Sequence, residues 1–166
     1  RPLTSNVRHQ MRRVSLLSAL LATLPGVSGA QPPEDPFCQP LLRFVESVQA
    51  SQRHEFAFHT VWGSNFKDSS EPALFAKRCI HGESESGKSV CEFLMSNGAV
   101  EFAGANVKRA LACLSPESRL AQGLELKAAS FSLSHGSQER GSLVALEFAE
   151  NTQLGGKVLR ISAHGY

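Results

Sequence analysis

Residues 79–91 read Cys79-Ile80-His81-Gly82-Glu83-Ser84-Glu85-Ser86-Gly87-Lys88-Ser89-Val90-Cys91. Two cysteines bracket eleven residues, most of them polar. The apolar run before them, Ala73 to Ile80, has the character of a strand, and Val90 to Ser96 has that of a short helix stopped by Asn97-Gly98. If Cys79 and Cys91 are bonded, a strand is clipped to the helix that follows it, and the polar stretch becomes a closed loop. If they are reduced, the same stretch is an open strand-to-helix connection.

The rest of the cysteine count favours the closed form. The chain of 166 residues has four cysteines, Cys38, Cys79, Cys91 and Cys113. An even count in a small exported domain reads as a disulfide framework. Three pairings are possible, and the short polar separation favours Cys79–Cys91 with Cys38–Cys113. Loop closure is worth about 3 kcal/mol for the shorter bridge and about 4.5 kcal/mol for the longer. Zinc is disfavoured, because no pair has the tight Cys-x2–4-Cys spacing of a structural site, and no cofactor is implied.

Export is read from the first thirty residues. Met11-Arg12-Arg13 is a basic start, Leu16 to Val27 is an uncharged apolar run of 12 residues, and Ser28-Gly29-Ala30 has the small residues of a cleavage site. A membrane span needs about 20 residues, so the run is a leader rather than an anchor. Residues 1–10 read as an upstream extension, 11–30 as a signal peptide, 31–36 as a polar lead-in and 37–166 as a single domain. Cleavage after Ala30 removes four arginines and no acid, turning the formal charge from +2 to −2. The basicity belongs to the leader. Neither charge suggests nucleic-acid binding. A periplasmic or secreted location follows, with no stable membrane anchor after cleavage.

Within 37–166 the periodicities predict an α+β fold. Leu41, Leu42, Val45 and Val48 predict a helix near 38–51. His54 to Trp62 alternates as a half-buried strand, with Phe56, Phe58, Thr60 and Trp62 on one face. Ala103, Val107, Ala110, Leu111 and Leu114 share a helical face ended by Ser115-Pro116. Leu124–Ser134, Leu143–Ala149 and Lys157–Ala163 read as strands, with His135-Gly136 opening a loop. Short connections favour antiparallel pairing. The expected architecture is three helices on one face of a mainly antiparallel sheet of four or five strands, stapled by disulfides.

Gly82, Gly87, Lys88 and Ser89 satisfy G-x4-G-K-[ST], and residues 82–89 resemble the phosphate-binding loop of nucleotide-hydrolysing proteins. The resemblance implies amides that cradle phosphate, Lys88 on the terminal phosphates and Ser89 on magnesium. Against it stand the flanking cysteines and the lack of a strand-end aspartate to hold magnesium. Asp35 and Asp68 are the only aspartates, both upstream. The sequence therefore favours a solvated loop, with a nucleotide-binding protein as the alternative reading.

Other chemistry is sparse. No Cys-x-x-Cys, H-E-x-x-H or G-x-S-x-G pattern is present. His54 and His59 fall on opposite faces of their strand. Lys77-Arg78 and Lys108-Arg109 read as solvated edges, or as one anion-binding patch if their elements pack together. Trp62 reads as a core residue at a strand end, with a binding anchor as the alternative. The cadence Lys77-Arg78-Cys79, Val90-Cys91 and Asn106 to Leu114 resembles small exported bacterial proteins of unassigned function; it covers residues 77–114 and transfers no site. The functional expectation is an exported, non-catalytic binding or interaction module whose partner is a protein or a small molecule.

Overall fold

The computed structural model describes residues 35–121 and 123–166. The leader expected at 11–30, the extension at 1–10 and most of the lead-in lie outside the described residues. The elements run α1 (Cys38–Glu46), β1 (Arg53–Trp62), β2 (Phe75–Ile80), α2 (Glu85–Asn97), α3 (Gly104–Leu114), β3 (Ala129–Gly136), β4 (Gly141–Glu150) and β5 (Lys157–Gly165). Five strands form one antiparallel sheet in the order β2-β1-β5-β4-β3. The fold is α+β with three helices and two disulfides among the described residues.

Strand alternation sorts the sheet into two faces. Phe56 and Phe58 of β1, Leu159 and Ile161 of β5, and Val144, Leu146 and Phe148 of β4 are buried against the helices. The helices contribute Leu41, Phe44 and Val45, then Val90 and Leu94, then Val107, Ala110 and Leu111. Burying each such side chain stabilises by about 1.5–3 kcal/mol. α1 lies over β3 and β4, α2 over β1 and β2, and α3 packs principally on α1.

The cysteines pair as Cys38–Cys113 and Cys79–Cys91. The first bridge ties the start of α1 to the end of α3. The second ties β2 to α2. A third tie lies beside them. Asp35 accepts two hydrogen bonds of 2.7 Å from Arg109 and another from the Phe37 amide at 2.9 Å. The Arg109 guanidinium lies over the Phe37 and Phe93 rings, which are themselves stacked. Arg109 holds the Asp35 carboxyl below its usual pKa, chiefly by these hydrogen bonds. The end of the expected lead-in is thus a fixed part of the structure.

Several boundaries differ from the sequence reading. α1 stops at Glu46 instead of 51, because Ser47 Oγ turns back to the Phe44 carbonyl and Ser51 takes a φ of +65°. α2 begins at Glu85, so the stretch expected to be a solvated loop up to Ser89 is partly helix. Ser84 is its N-cap, and Ser84 Oγ accepts from the Gly87 amide. β3 begins at Ala129 rather than Leu124 and runs through His135-Gly136. Gly98 ends α2 as expected, for a steric reason: a Cβ there would lie 2.6 Å from the Phe58 ring.

Two outcomes are expected in urea unfolding of the oxidised protein. Replacing Cys38 and Cys113 by Ala lowers stability more than replacing Cys79 and Cys91, by about 1.5 kcal/mol, because the first loop is longer. Asp35→Asn lowers it by about 1–2 kcal/mol through the loss of charge-assisted hydrogen bonds.

Candidate functional site

The residues of the phosphate-loop pattern fall at the start of α2. The order strand, motif, helix is present, and β2 is an antiparallel edge strand. Gly82 has a φ of +58° in the turn after β2. The Gly87 amide donates to Ser84 Oγ, the Lys88 amide to the Ser84 carbonyl and Ser89 Oγ to the Glu85 carbonyl. Ser84, Ser86 and Ser47 form a chain of hydroxyls joining the start of α2 to the end of α1. The amides of Gly87 and Lys88 are therefore engaged within the chain.

The two basic pairs divide. Lys77 Nζ donates to the Met95 carbonyl at 3.1 Å, and Arg109 Nη1 reaches the Asn97 carbonyl at 3.4 Å. Both cations meet the negative end of α2, whose last turn has no basic residue of its own. Burial lowers the pKa of Lys77. Arg78 forms a paired hydrogen bond with Asp68 at 2.7 and 3.0 Å and covers the Phe66 ring. Three of the four cations are thus occupied by the fold. The fourth, Lys108, lies elsewhere.

The histidines also have local roles. His54 packs against Phe44 on the helix side of β1. His59, on the opposite face as its spacing implies, is 5% exposed. Asn151 Nδ2 donates to His59 Nδ1 at 3.2 Å, which leaves the ring hydrogen on Nε2. His135 Nε2 lies 3.2 Å from Glu46. Among the described residues no group of three or more His, Cys, Asp or Glu side chains is placed to hold a metal ion.

A cleft of about 620 Å³ lies at the end of the sheet. Its floor is Thr60, Phe148 and Lys157, from three strands, with Trp62 at the mouth. One wall is the loop and first turn of α3, Val100 to Ala105 with Lys108. The other is the non-strand segment 123–127. The wall before α3 is held by Asn106, which is buried. Its Nδ2 donates to the Ala99 carbonyl at 2.8 Å and its Oδ1 accepts from the Ala99 amide at 2.9 Å. Gly104 lets the two walls meet, since a Cβ there would lie 2.7 Å from the Leu126 carbonyl oxygen.

Trp62, expected in the core, is 51% exposed at the mouth of this cleft, and Phe102 beside α3 is 72% exposed. Trp62 alternates correctly with Phe56 and Phe58 on the helix face. Among the described residues no helix covers the end of β1, which leaves the ring exposed. Phe102, Asn106, Lys127 and Lys157 were missed as functional candidates. The available signals were an aromatic directly before an uncapped helix and an asparagine on the apolar face of that helix.

Compared with known proteins, the chain matches no family model, no curated protein and no solved structure.

His59 gives a pH dependence. Burial, then the charges of Arg160 and Arg78, lower its folded-state pKa below 6.5. As pH falls, the unfolded chain takes up this proton first. Stability from His59 is therefore complete above about pH 6.5, declines below it, and levels off below the folded pKa. Urea titrations between pH 7.5 and 5 should show a smaller decline for His59→Gln than for the wild type.

Proposed function

We propose that the protein is an exported, disulfide-stabilised, non-catalytic binding module that holds a small molecule in the cleft beneath Trp62. The carrying observation is an apolar cleft of about 620 Å³ with an exposed tryptophan and phenylalanine at its mouth. Ligand sites are commonly concave, mainly apolar and 300–1,000 Å³ in size, and exposed aromatic patches mark interaction sites. Two disulfides fit an oxidising compartment. A periplasmic or secreted location further rests on the leader-like residues 11–30. The engaged amides of Gly87 and Lys88 support reading 82–89 as a capped helix start rather than a nucleotide site.

Trp62 is the only tryptophan of the chain, so its fluorescence reports directly on the cleft. Titration with 1-anilinonaphthalene-8-sulfonate should give energy transfer from Trp62. Phe102→Ala should weaken that binding by about tenfold, the loss of one well-placed apolar contact. Absence of dye binding, or unchanged affinity in the variant, contradicts the assignment of the cleft. N-terminal sequencing of material exported by the natural host should begin at Gln31; an intact leader contradicts the export reading.

A further inference from the structure

Resting on the cleft reading above, we infer that its occupant is an amphipathic anion: an apolar chain or ring carrying one carboxylate or similar acidic head group. Three lysines, Lys108, Lys127 and Lys157, line the cavity together with Trp62, Phe102 and Phe148. Lys108 and Lys157 are half-buried. Among the described residues none of the three has a carboxylate within 4.0 Å, unlike Arg53, Arg78, Arg109 and Arg160, which all do. Lys157 Nζ donates one hydrogen bond of 3.2 Å to the Lys127 carbonyl. An ammonium has three hydrogens, so this contact fixes the group and leaves donors for a ligand.

The local charge favours an anion over a cation. Glu101 and Glu125 also line the cleft, but both are exposed. The lining charge is +1 when the three lysines and two glutamates are set against each other. The first turn of α3 adds to this. It contributes residues to the wall and contains no acid; its Ala105 and Asn106 amides are already bonded to the Phe102 and Ala103 carbonyls, so what it offers an anion is the positive end of the helix dipole rather than free donors. The apolar part of the ligand would lie against Trp62, Phe102 and Phe148. The head group would meet Lys108 and Lys157. A small molecule fits better than an extended partner, because Lys108 and Lys157 are half-buried between walls that meet at Gly104 and Leu126.

The test uses the oxidised, leader-free protein and the emission of Trp62. Decanoate, decanol and decyltrimethylammonium are titrated below their micelle concentrations, with anionic phosphatidylglycerol vesicles as a separate arm. Decanoate should shift the emission to the blue and bind at least tenfold more tightly than decyltrimethylammonium. The double substitution Lys108→Gln and Lys157→Gln should weaken decanoate by about tenfold and leave decanol unchanged, with unaltered circular dichroism and thermal midpoint showing that the variant is folded. Equal affinity for all three compounds, or an unaffected variant, overturns the anion assignment while leaving the cleft reading intact. Sedimentation with vesicles without response to monomeric decanoate overturns it in favour of a membrane surface. No response to any probe overturns both.

Discussion

The Cys38–Cys113 bridge is the constraint on which the arrangement of the helices depends. α3 packs principally on α1, and its Val107, Ala110 and Leu111 join the same core as the apolar face of the strands. The bridge fastens its final turn to the first turn of α1, and Arg109 adds the tie to Asp35 one turn earlier. The opposite end of α3 has no such fastening to the sheet. The cleft lies at that end, with Trp62, Phe148 and Lys157 beside the first turn of α3.

The second bridge and two half-buried cations act on α2 in a comparable way. Cys91 is joined to β2, Ser84 satisfies the first turn, and Lys77 and Arg109 approach the carbonyls of the last. Both ends of this helix are closed by neighbours. α3 has its C-terminal end secured by the disulfide, while its N-terminal end has no side-chain cap and is held by backbone bonds and by Asn106. The difference follows from sequence: serine precedes α2, while alanine and an exposed phenylalanine precede α3.

Much of this architecture was legible in the sequence. Alternation at 54–62, the apolar stripe at 103–114 and the short turns between later strands yield an α+β fold with an antiparallel sheet. The favoured cysteine pairing follows from separation alone. The legible part is the part governed by local period. Failures arose where tertiary contacts decide. Ser84 and Gly87 show a cap only once the helix start is placed, and the polar composition of 81–89 conceals it. The run at 124–128 has strand-like residues but leans on Gly104 and α3 instead of joining β3. Trp62 has the right parity for the core, yet its burial depends on whether a helix reaches the end of β1. The lysines of the cleft come from α3, β5 and an irregular segment, a convergence that no single stretch announces.

Two specific crosslinks hold the helices to one another and to the sheet. Non-reducing peptide mapping of protein purified from its natural host tests this most directly. The account predicts two linked peptides, one joining Cys38 to Cys113 and one joining Cys79 to Cys91, with no alkylatable thiol in the folded protein. A different pairing, or four reactive thiols in the native molecule, would contradict it.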